Sequence, residues 1–385
     1  MYALVFYVFF KQQAERNRTL HRYLRNLDWI LIWTVLLLTG IGMVLIASAT
    51  HGDVLVSGSN RFVQRQGLFL LVDMLLAVGI ISLDYHSLKR IALPLYGFTV
   101  LLLLGVMFFG HASLGAQRWI QIGPVTFQPS EFSKAFMIVC LAAFLDERSE
   151  YLEQWKDFIP ACLFMVIPFV LVLRQPDLGT ALVFVAIAFS MFWVCGFKLK
   201  WIGVLAGVFA CAAPVLWRFL HEYQRNRIRV FLDPELDPFG AGYHVIQSKI
   251  AIGSGMLWGK GFMQGTQSQL DFLPENHTDF IFAVAGEEFG FVGAVVILLL
   301  YLVLIWRGLT IALNAEDRFG MLLATGITGM YLFHVLVNVG MTIGIMPVTG
   351  VPLPFLSYGV SSLTTNMLLA GVLLNINVRH TRLQF

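Results

Sequence analysis

Apolar residues fall in runs of about 20 along nearly the whole chain, separated by short polar segments. Runs of that length suit α-helices crossing a hydrocarbon core of about 30 Å, and the ten-residue alternation of membrane β-strands is absent. The pattern predicts an all-α integral membrane protein with crossings near 28–50, 66–83, 91–110, 130–146, 158–173, 178–196, 200–220, 288–306, 319–343 and 360–378. A long connection, about 221–278, joins the seventh and eighth. Its stretch "AGYHVIQSKIAIGSG" puts Tyr243, Ile246 and Ile250 at helical spacing, as in a short amphipathic helix lying on a leaflet. Glycines with Pro234, Pro238 and Pro274 punctuate the remainder. The eighth run poses a length problem. From Asp279 to Trp306 a helix would be roughly 42 Å long, more than the core needs. Asp279 is therefore expected in a separate short element, 279–288, with Glu287 and Glu288 as solvated acids at the membrane boundary and the helix proper starting near Phe289.

Composition agrees. Of 385 residues, 58% are hydrophobic and 13% charged, against roughly 25% charged in soluble domains. A net charge of +3 without a basic block argues against nucleic acid as a partner. Cys140, Cys162, Cys195 and Cys211 sit in apolar runs without metal-ligand spacing and read as small buried hydrophobes. The opening "MYALVFYVFF" lacks a basic leader and a small-residue cleavage site, so it does not read as a signal peptide. Lysine and arginine set the direction. Fifteen lie in the two tails and the alternate short loops, five in the opposite short segments. By the positive-inside tendency both termini are cytoplasmic. The expected organisation is a cytoplasmic segment 1–27, a polytopic domain 28–378 with an outer loop near 221–278, and a cytoplasmic tail 379–385.

Four polar motifs then fall on the outer face, each where an even-numbered crossing begins. "QPSEFSK" brings Glu131 and Lys134, three apart and on one helical face. "RQPDLGT" brings Asp177, "PENHTDF" brings Glu275, His277 and Asp279, and "VPLPFLSYGVSSL" brings Ser357 and Ser361. "GAQRWIQIG" adds Arg118 and Trp119 on the same side.

Each residue also has a plainer role. Asp177 suits an ordinary helix cap, like Asp28, Asp157 and Asp317 on the inner face. Glu131 and Lys134 suit a structural ion pair, and the serines suit helix packing. Arg225, Arg227 and Arg229 suit lipid headgroups. What those roles leave unexplained is the gathering of acids, bases, prolines and glycines at one face. A substrate arriving from one leaflet would use such a face, whereas a transporter would hold its site near the midplane between repeats. No G-x-S-x-G, H-E-x-x-H or phosphate-cradling glycine loop is present.

The strings "GAQRWI", "QPSEFSK", "RQPDLGTA", "DPFGAGYHVIQSKIAIGSG", "GKGFMQGTQSQLDFLPENHTDFIFAVAGEEFGFVG" and "GIMPVTGVPLPFLSYGVSSL" occur in that order from about 114 to 363. Together they resemble the SEDS family (shape, elongation, division and sporulation) of bacterial cell-wall synthesis. "DPFGAGYH" and "GTQSQLDFLPE" resemble its RodA-like elongation branch more than its division branch. One departure is Val360, where the family usually has a second glycine.

The resemblance implies a peptidoglycan glycosyltransferase of the bacterial cytoplasmic membrane, acting in cell elongation and shape maintenance. It would polymerise lipid II, a disaccharide–pentapeptide on undecaprenyl pyrophosphate, into β-1,4 strands with inversion at the sugar. It implies Asp279 as the catalytic residue and a class B penicillin-binding protein as cross-linking partner, among other elongation-complex membrane proteins and lipids. Two rival classes are a lipid II flippase and a non-catalytic scaffold for that partner. Chemically, a base is needed for the attacking hydroxyl and positive charge for the leaving pyrophosphate. Asp279 is the candidate base, with Glu275 or Asp271 nearby. Arg118 and Lys134 are the first candidates for pyrophosphate, Lys249 and Lys260 the next, with Glu131 and Asp177 expected to hold Lys134. A divalent cation, Mg or Mn, bridging carboxylates and pyrophosphate is the other option.

Overall fold

The computed structural model describes residues 26–51, 59–113, 116–122, 125–148, 154–198, 200–201, 203, 207, 218, 222–237, 240–270 and 272–380. Most of the seventh expected crossing, the first 25 residues, the last five and Asp271 lie outside the described residues. The other nine crossings are helices: α1 (Trp29–Ala49), α2 (Arg61–Ser82), α4 (Ala92–Phe109), α5 (Pro129–Glu147), α6 (Ile159–Arg174), α7 (Leu178–Val194), α11 (Ile281–Leu313), α12 (Arg318–Thr342) and α13 (Val360–His380). Between them lie the short α3 (His86–Arg90), and in the long connection α8 (Glu222–Leu232), α9 (Ala241–Ser254) and α10 (Thr266–Gln269). Among the described residues seven helices are long and apolar enough to cross a membrane, and α7 is a shorter apolar one.

Local chemistry starts these helices, within a residue or two of the expected position for α1, α5 and α7 and five residues ahead of the expected 66 for α2. Asp28 accepts from the Leu31 amide at 3.0 Å, Asn60 from Val63 at 3.0 Å, and Asp177 from Thr180 at 3.1 Å. Pro129 opens α5, where its missing N–H costs nothing. Val360 is the first residue of α13, so the branched side chain that departs from the family pattern is accommodated by helical backbone there.

Helices α5, α12 and α13 form the buried centre, while α2 and α4 carry their apolar side chains outward. Leu75, Leu93 and Phe108 are 74%, 77% and 77% exposed, as lipid-facing residues should be. The strongest pairings join α2 to α13, α11 to α12, α7 to α12 and α4 to α5. Cys162, expected to be buried, is exposed on α6, whereas Cys140 and Cys195 are buried. Cys211 lies outside the described residues.

Three further features differ from the sequence expectation. After α4 the chain forms a small antiparallel sheet, β1 (His111–Ser113), β2 (Ala116–Ile122) and β3 (Val125–Phe127), in the order β1-β2-β3. It is too short to register as hydrophobic alternation. Helix α9 exists, but the face it buries is Val245, Ser248 and Ala251, while Ile250 is exposed. The small residues win because α9 packs closely on α11: a Cβ on Gly255 would lie 1.9 Å from the Gly286 carbonyl oxygen. Third, helical structure begins at Ile281 but breaks at Gly290, where φ is 65°. The expected separation of Asp279 from the long helix thus takes the form of a buried half-helix, 281–289, ahead of the break. The loop 256–261 supplies the break with partners. Lys260 and Gly261 amides donate to the Glu287 and Glu288 carbonyls at 3.0 Å each, and Phe291 and Val292 amides donate to Met256 at 2.9 Å and Leu257 at 3.1 Å.

Gly290 has no substitute at that point. A Cβ there would lie 2.3 Å from the Gly259 nitrogen, at a φ that side chains rarely adopt. Gly290→Ala is expected to cost about 3 kcal/mol or more, from strain and steric conflict together. Thermal melting of the detergent-solubilised protein checks it, with Gly105→Ala, which meets nothing within 4 Å, expected to melt at or above wild type.

Candidate functional site

At one end of the bundle β2, the starts of α5, α7 and α13, and two turns enclose a cavity of about 260 Å³. Its walls include Arg118, Glu131, Lys134, Asp177, Glu275, Asp279 and Ser361, brought together from five separate stretches of sequence. A larger groove, about 660 Å³, runs between α6 and α7. Its walls are mostly apolar, with the Cys162 thiol and the Trp155 and Trp201 indoles as their polar groups, and hold no carboxylate or ammonium, so the smaller cavity is better equipped for polar chemistry.

Lys134 sits in the first turns of α5, 2% exposed. Its ammonium donates to Glu131 Oε1 at 2.8 Å and faces His334 Nε2 of α12 at 3.3 Å. The second oxygen of Glu131 is buried without a protein partner. Burying an unpaired ammonium would be prohibitive, so the pair is structural, and both members line the cavity. Asp177 is the cap of α7, taking the Thr180 amide and, at 2.9 Å, the Thr180 hydroxyl. It was expected to hold Lys134; instead its carboxylate lies 3.7 Å from the Arg118 guanidinium. Arg118 in turn donates to the carbonyls of Gln175, at 3.2 Å, and Pro176. Those carbonyls follow the C-terminus of α6, so Arg118 ties the sheet to the α6–α7 corner and lines the cavity from there.

Asp279 rides on a tight turn. Thr278 and Phe280 amides both donate to the Glu275 carbonyl at 3.2 Å. Glu275 itself has φ 52°, and its side chain accepts from the Thr278 hydroxyl at 3.0 Å. From α12, Asn338 clamps the turn, its amide donating to the Asp279 carbonyl at 2.9 Å and the Val351 carbonyl at 2.8 Å. A Cβ on Gly350, at φ 72°, would come within 3.3 Å of Asp279 Oδ2. Only a glycine leaves that space beside the carboxylate.

The remaining expected residues divide. Ser361 lines the cavity and accepts from the Gln128 amide at 3.0 Å. Ser357 does not; it is buried and accepts from the Leu353 amide at 2.9 Å, closing the turn before α13. His277 packs against Phe62 and Tyr358, with ring centroids 4.9 and 5.6 Å apart. Lys249 is exposed, with its side chain against Gly344. Lys260 bonds Glu287 at 2.7 Å. Neither lysine lines the cavity.

Glu287 and Glu288 are corrected outright. Expected as solvated acids, they are 0% and 1% exposed. Glu287 also takes the Gln267 and Ser268 amides at 2.9 and 3.2 Å, and Glu288 takes the Ser48 hydroxyl of α1. They pin the loop 256–270 to the break at Gly290.

Sequence reasoning missed His334, Asn338, Gln128, Thr180 and Tyr358. The first two had a signal: polar residues four apart within the apolar run "YLFHVLVNVG" share one helical face, and such residues inside a membrane helix are seldom idle. Burial pushes the Tyr358 phenol above its ordinary pKa, so it faces the cavity as a neutral hydroxyl. Among the described residues no group of three His, Cys, Asp or Glu side chains could hold a metal.

A family model described as "Cell cycle protein" (FTSW_RODA_SPOVE) matches residues 28–382. The chain is 47% identical over 290 residues to the peptidoglycan glycosyltransferase MrdB of Escherichia coli K12, covering 75% of this chain and 78% of that one. It is 39% identical over 360 residues to stage V sporulation protein E of Bacillus subtilis, covering 92% and 98%. Among solved structures it resembles the rod shape determining protein RodA of Thermus thermophilus, at TM-score 0.69 and 32% identity, covering 92% and 98%. It also resembles a chain from a peptidoglycan synthase complex solved for its coordination of polymerization and crosslinking, at TM-score 0.78 and 34% identity, covering 92% and 99%.

Lys260 provides a test of the division drawn above. Lys260→Met strands the buried Glu287 carboxylate and is expected to cost about 3 kcal/mol, read as a lower melting temperature, with affinity for a lipid-linked sugar donor unchanged. A variant that melts normally but binds donor weakly would return Lys260 to the substrate site.

Proposed function

The chain belongs to the FtsW/RodA/SpoVE family of cell-cycle membrane proteins, and from that premise we propose that its outer-face cavity polymerises lipid II as a peptidoglycan glycosyltransferase. One observation carries the placement: a carboxylate, Asp279, and a held ammonium, Lys134, share the walls of a single cavity. The acceptor's 4-hydroxyl oxygen forms the new bond to the donor's anomeric carbon on the face opposite the leaving group. The bond from that carbon to the pyrophosphate oxygen breaks, its electrons leaving with the lipid pyrophosphate and inverting the centre. The hydroxyl proton passes to Asp279. A positioned base contributes about 10²–10⁴-fold; orientation and charge stabilisation supply the rest.

Lys134 is the pyrophosphate's principal contact. An ammonium has three donors; Glu131 and His334 engage two, leaving one for a ligand oxygen. Arg118, already bonded to two carbonyls and facing Asp177, adds positive potential and a rigid wall. Ser361 and Tyr358 offer hydroxyls to the sugar or pyrophosphate.

Orientation follows from the same geometry. Asp146 in the last turn of α5 and Asp28 at the cap of α1 pair with Lys89 and Arg307, at 2.6 and 2.7 Å, on the side opposite the cavity. With the positive-inside tendency this supports cytoplasmic termini and a cavity facing outward. A class B penicillin-binding protein is the partner this activity calls for, since a glycan strand bears load only once cross-linked. The likeness to a chain of a peptidoglycan synthase complex supports that pairing. In a background without the four native cysteines, Asp279→Cys is expected to react with a membrane-impermeant maleimide on intact spheroplasts. Labelling only in inverted vesicles would reverse the topology.

The deciding assay gives purified protein lipid II and reads glycan length on a gel, with donor affinity measured separately. Asp279→Asn is expected to lose at least about 100-fold in turnover while keeping donor affinity, because a carboxylate does not attract pyrophosphate. Lys134→Met is expected to lose donor affinity by about tenfold or more. Normal-length glycan from the Asn variant would remove Asp279 as the base. Translocation by wild type without any glycan would favour the flippase.

A further inference from the structure

The reaction as proposed leaves one group beside the cavity without a part. His334 is wholly buried in α12, eight residues before its outer end. A histidine inside a membrane helix is costly unless each ring nitrogen has a partner. Its Nδ1 lies 2.9 Å from the Pro352 carbonyl oxygen, which can only accept, so Nδ1 carries the proton. Its Nε2 lies 3.3 Å from the Lys134 ammonium, which can only donate, so Nε2 presents its lone pair. The ring is neutral and its tautomer fixed from both sides.

This matters for Lys134. The bond to Glu131 alone, three residues back on the same helix, would leave the ammonium free to turn about its stem. A second acceptor on a different helix removes that freedom, and the tetrahedral nitrogen then has one defined direction left. A second carboxylate would orient it equally well but would cancel its charge. A neutral imidazole fixes the direction and leaves the positive charge for a ligand. We infer that His334 is a positioning residue that aims the Lys134 ammonium into the cavity toward the anionic leaving group of the donor. The inference rests on Lys134 as the pyrophosphate contact.

Two variants separate the bonds His334 makes. His334→Gln puts an amide near the Nε2 position, where it can accept from Lys134 but loses Pro352. His334→Asn puts an amide near the Nδ1 position, where it can donate to Pro352 but loses Lys134. The purified full chain is given lipid II, with KM, kcat and melting temperature measured for each. The expected result is a KM within about threefold of wild type for the Gln variant and about tenfold higher for the Asn variant, with the Asn variant melting closer to wild type. Affinity and stability then move in opposite orders, which a merely structural histidine would not produce. A KM that follows melting temperature, or two variants that change together, overturns the assignment. Lys134→Met run alongside keeps the premises apart. If it binds donor normally, the pyrophosphate contact and His334's part fall together; if it is impaired while the Gln and Asn order fails, only His334's part falls.

Discussion

Within a bilayer, peptide groups that leave a helix must find partners inside the protein, since lipid offers none. That constraint acts most strongly at Gly290, where α11 breaks. The carbonyls of Glu287 and Glu288 and the amides of Phe291 and Val292 are all taken up by the backbone of 256–261. The two glutamate side chains then fasten the neighbouring loop and α1. Breaking the helix lets residues 281–289 run as a separate buried piece, and that piece delivers the turn carrying Asp279 to the cavity. Had α11 continued straight, its extra length would have carried the carboxylate away from Lys134.

A second fixed element is α12. His334 and Asn338 are four apart and so share a face. One reaches Lys134 and the Pro352 carbonyl, the other the carbonyls of Asp279 and Val351. A single rigid helix therefore references the ammonium, the carboxylate-bearing turn and the 349–352 turn to one another. Reacting groups need placement to well within an ångström, and loops do not provide that on their own. Here the charged residues of the cavity stand on turns and first helical turns, while the atoms that hold Lys134 and the Asp279 turn from α12 belong to a buried helix.

Much of this was legible in the sequence, and what was not has physical reasons. Helix starts matched to within a residue or two at Asp28, Pro129 and Asp177, whereas the Asn60 cap starts α2 five residues ahead of the expected 66. The 28-residue span from Asp279 to Trp306 correctly signalled a break near Phe289. The grouping of polar motifs at one face brought Arg118, Glu131, Lys134, Asp177, Glu275, Asp279 and Ser361 into one cavity. Glu287 and Glu288 were misread because an acid's solvation depends on partners far along the chain. Lys260 is 27 residues from Glu287 and Ser48 is 240 from Glu288. Lys249 and Lys260 were drawn into the site by charge alone, which carries no direction. The buried face of α9 went to small residues because close helix approach outweighed side-chain apolarity. His334 went unnoticed inside an apolar run, although an ionisable group there is itself the clue.

The depth of the cavity separates a polymerase from a transporter. One turn inward from Lys134, α5 presents Met137, Ile138 and Leu141; α7 presents Phe184, Ile187 and Met191; α12 presents Ile327 and Met330, and every one is fully buried. Even Gly326 is closely covered, since a Cβ there would lie 2.2 Å from Met191 Cε. A pyrophosphate moving inward along these helices would exchange Lys134 for close-packed hydrocarbon, where an unpaired charge is expensive by many kcal/mol. A flippase would need that packing to open on every cycle. A glycosyltransferase needs it shut, because a dry apolar floor strengthens the field of Lys134 at the leaving group. The same packing that obstructs a transport path thus supports the charge stabilisation on which glycosyl transfer depends.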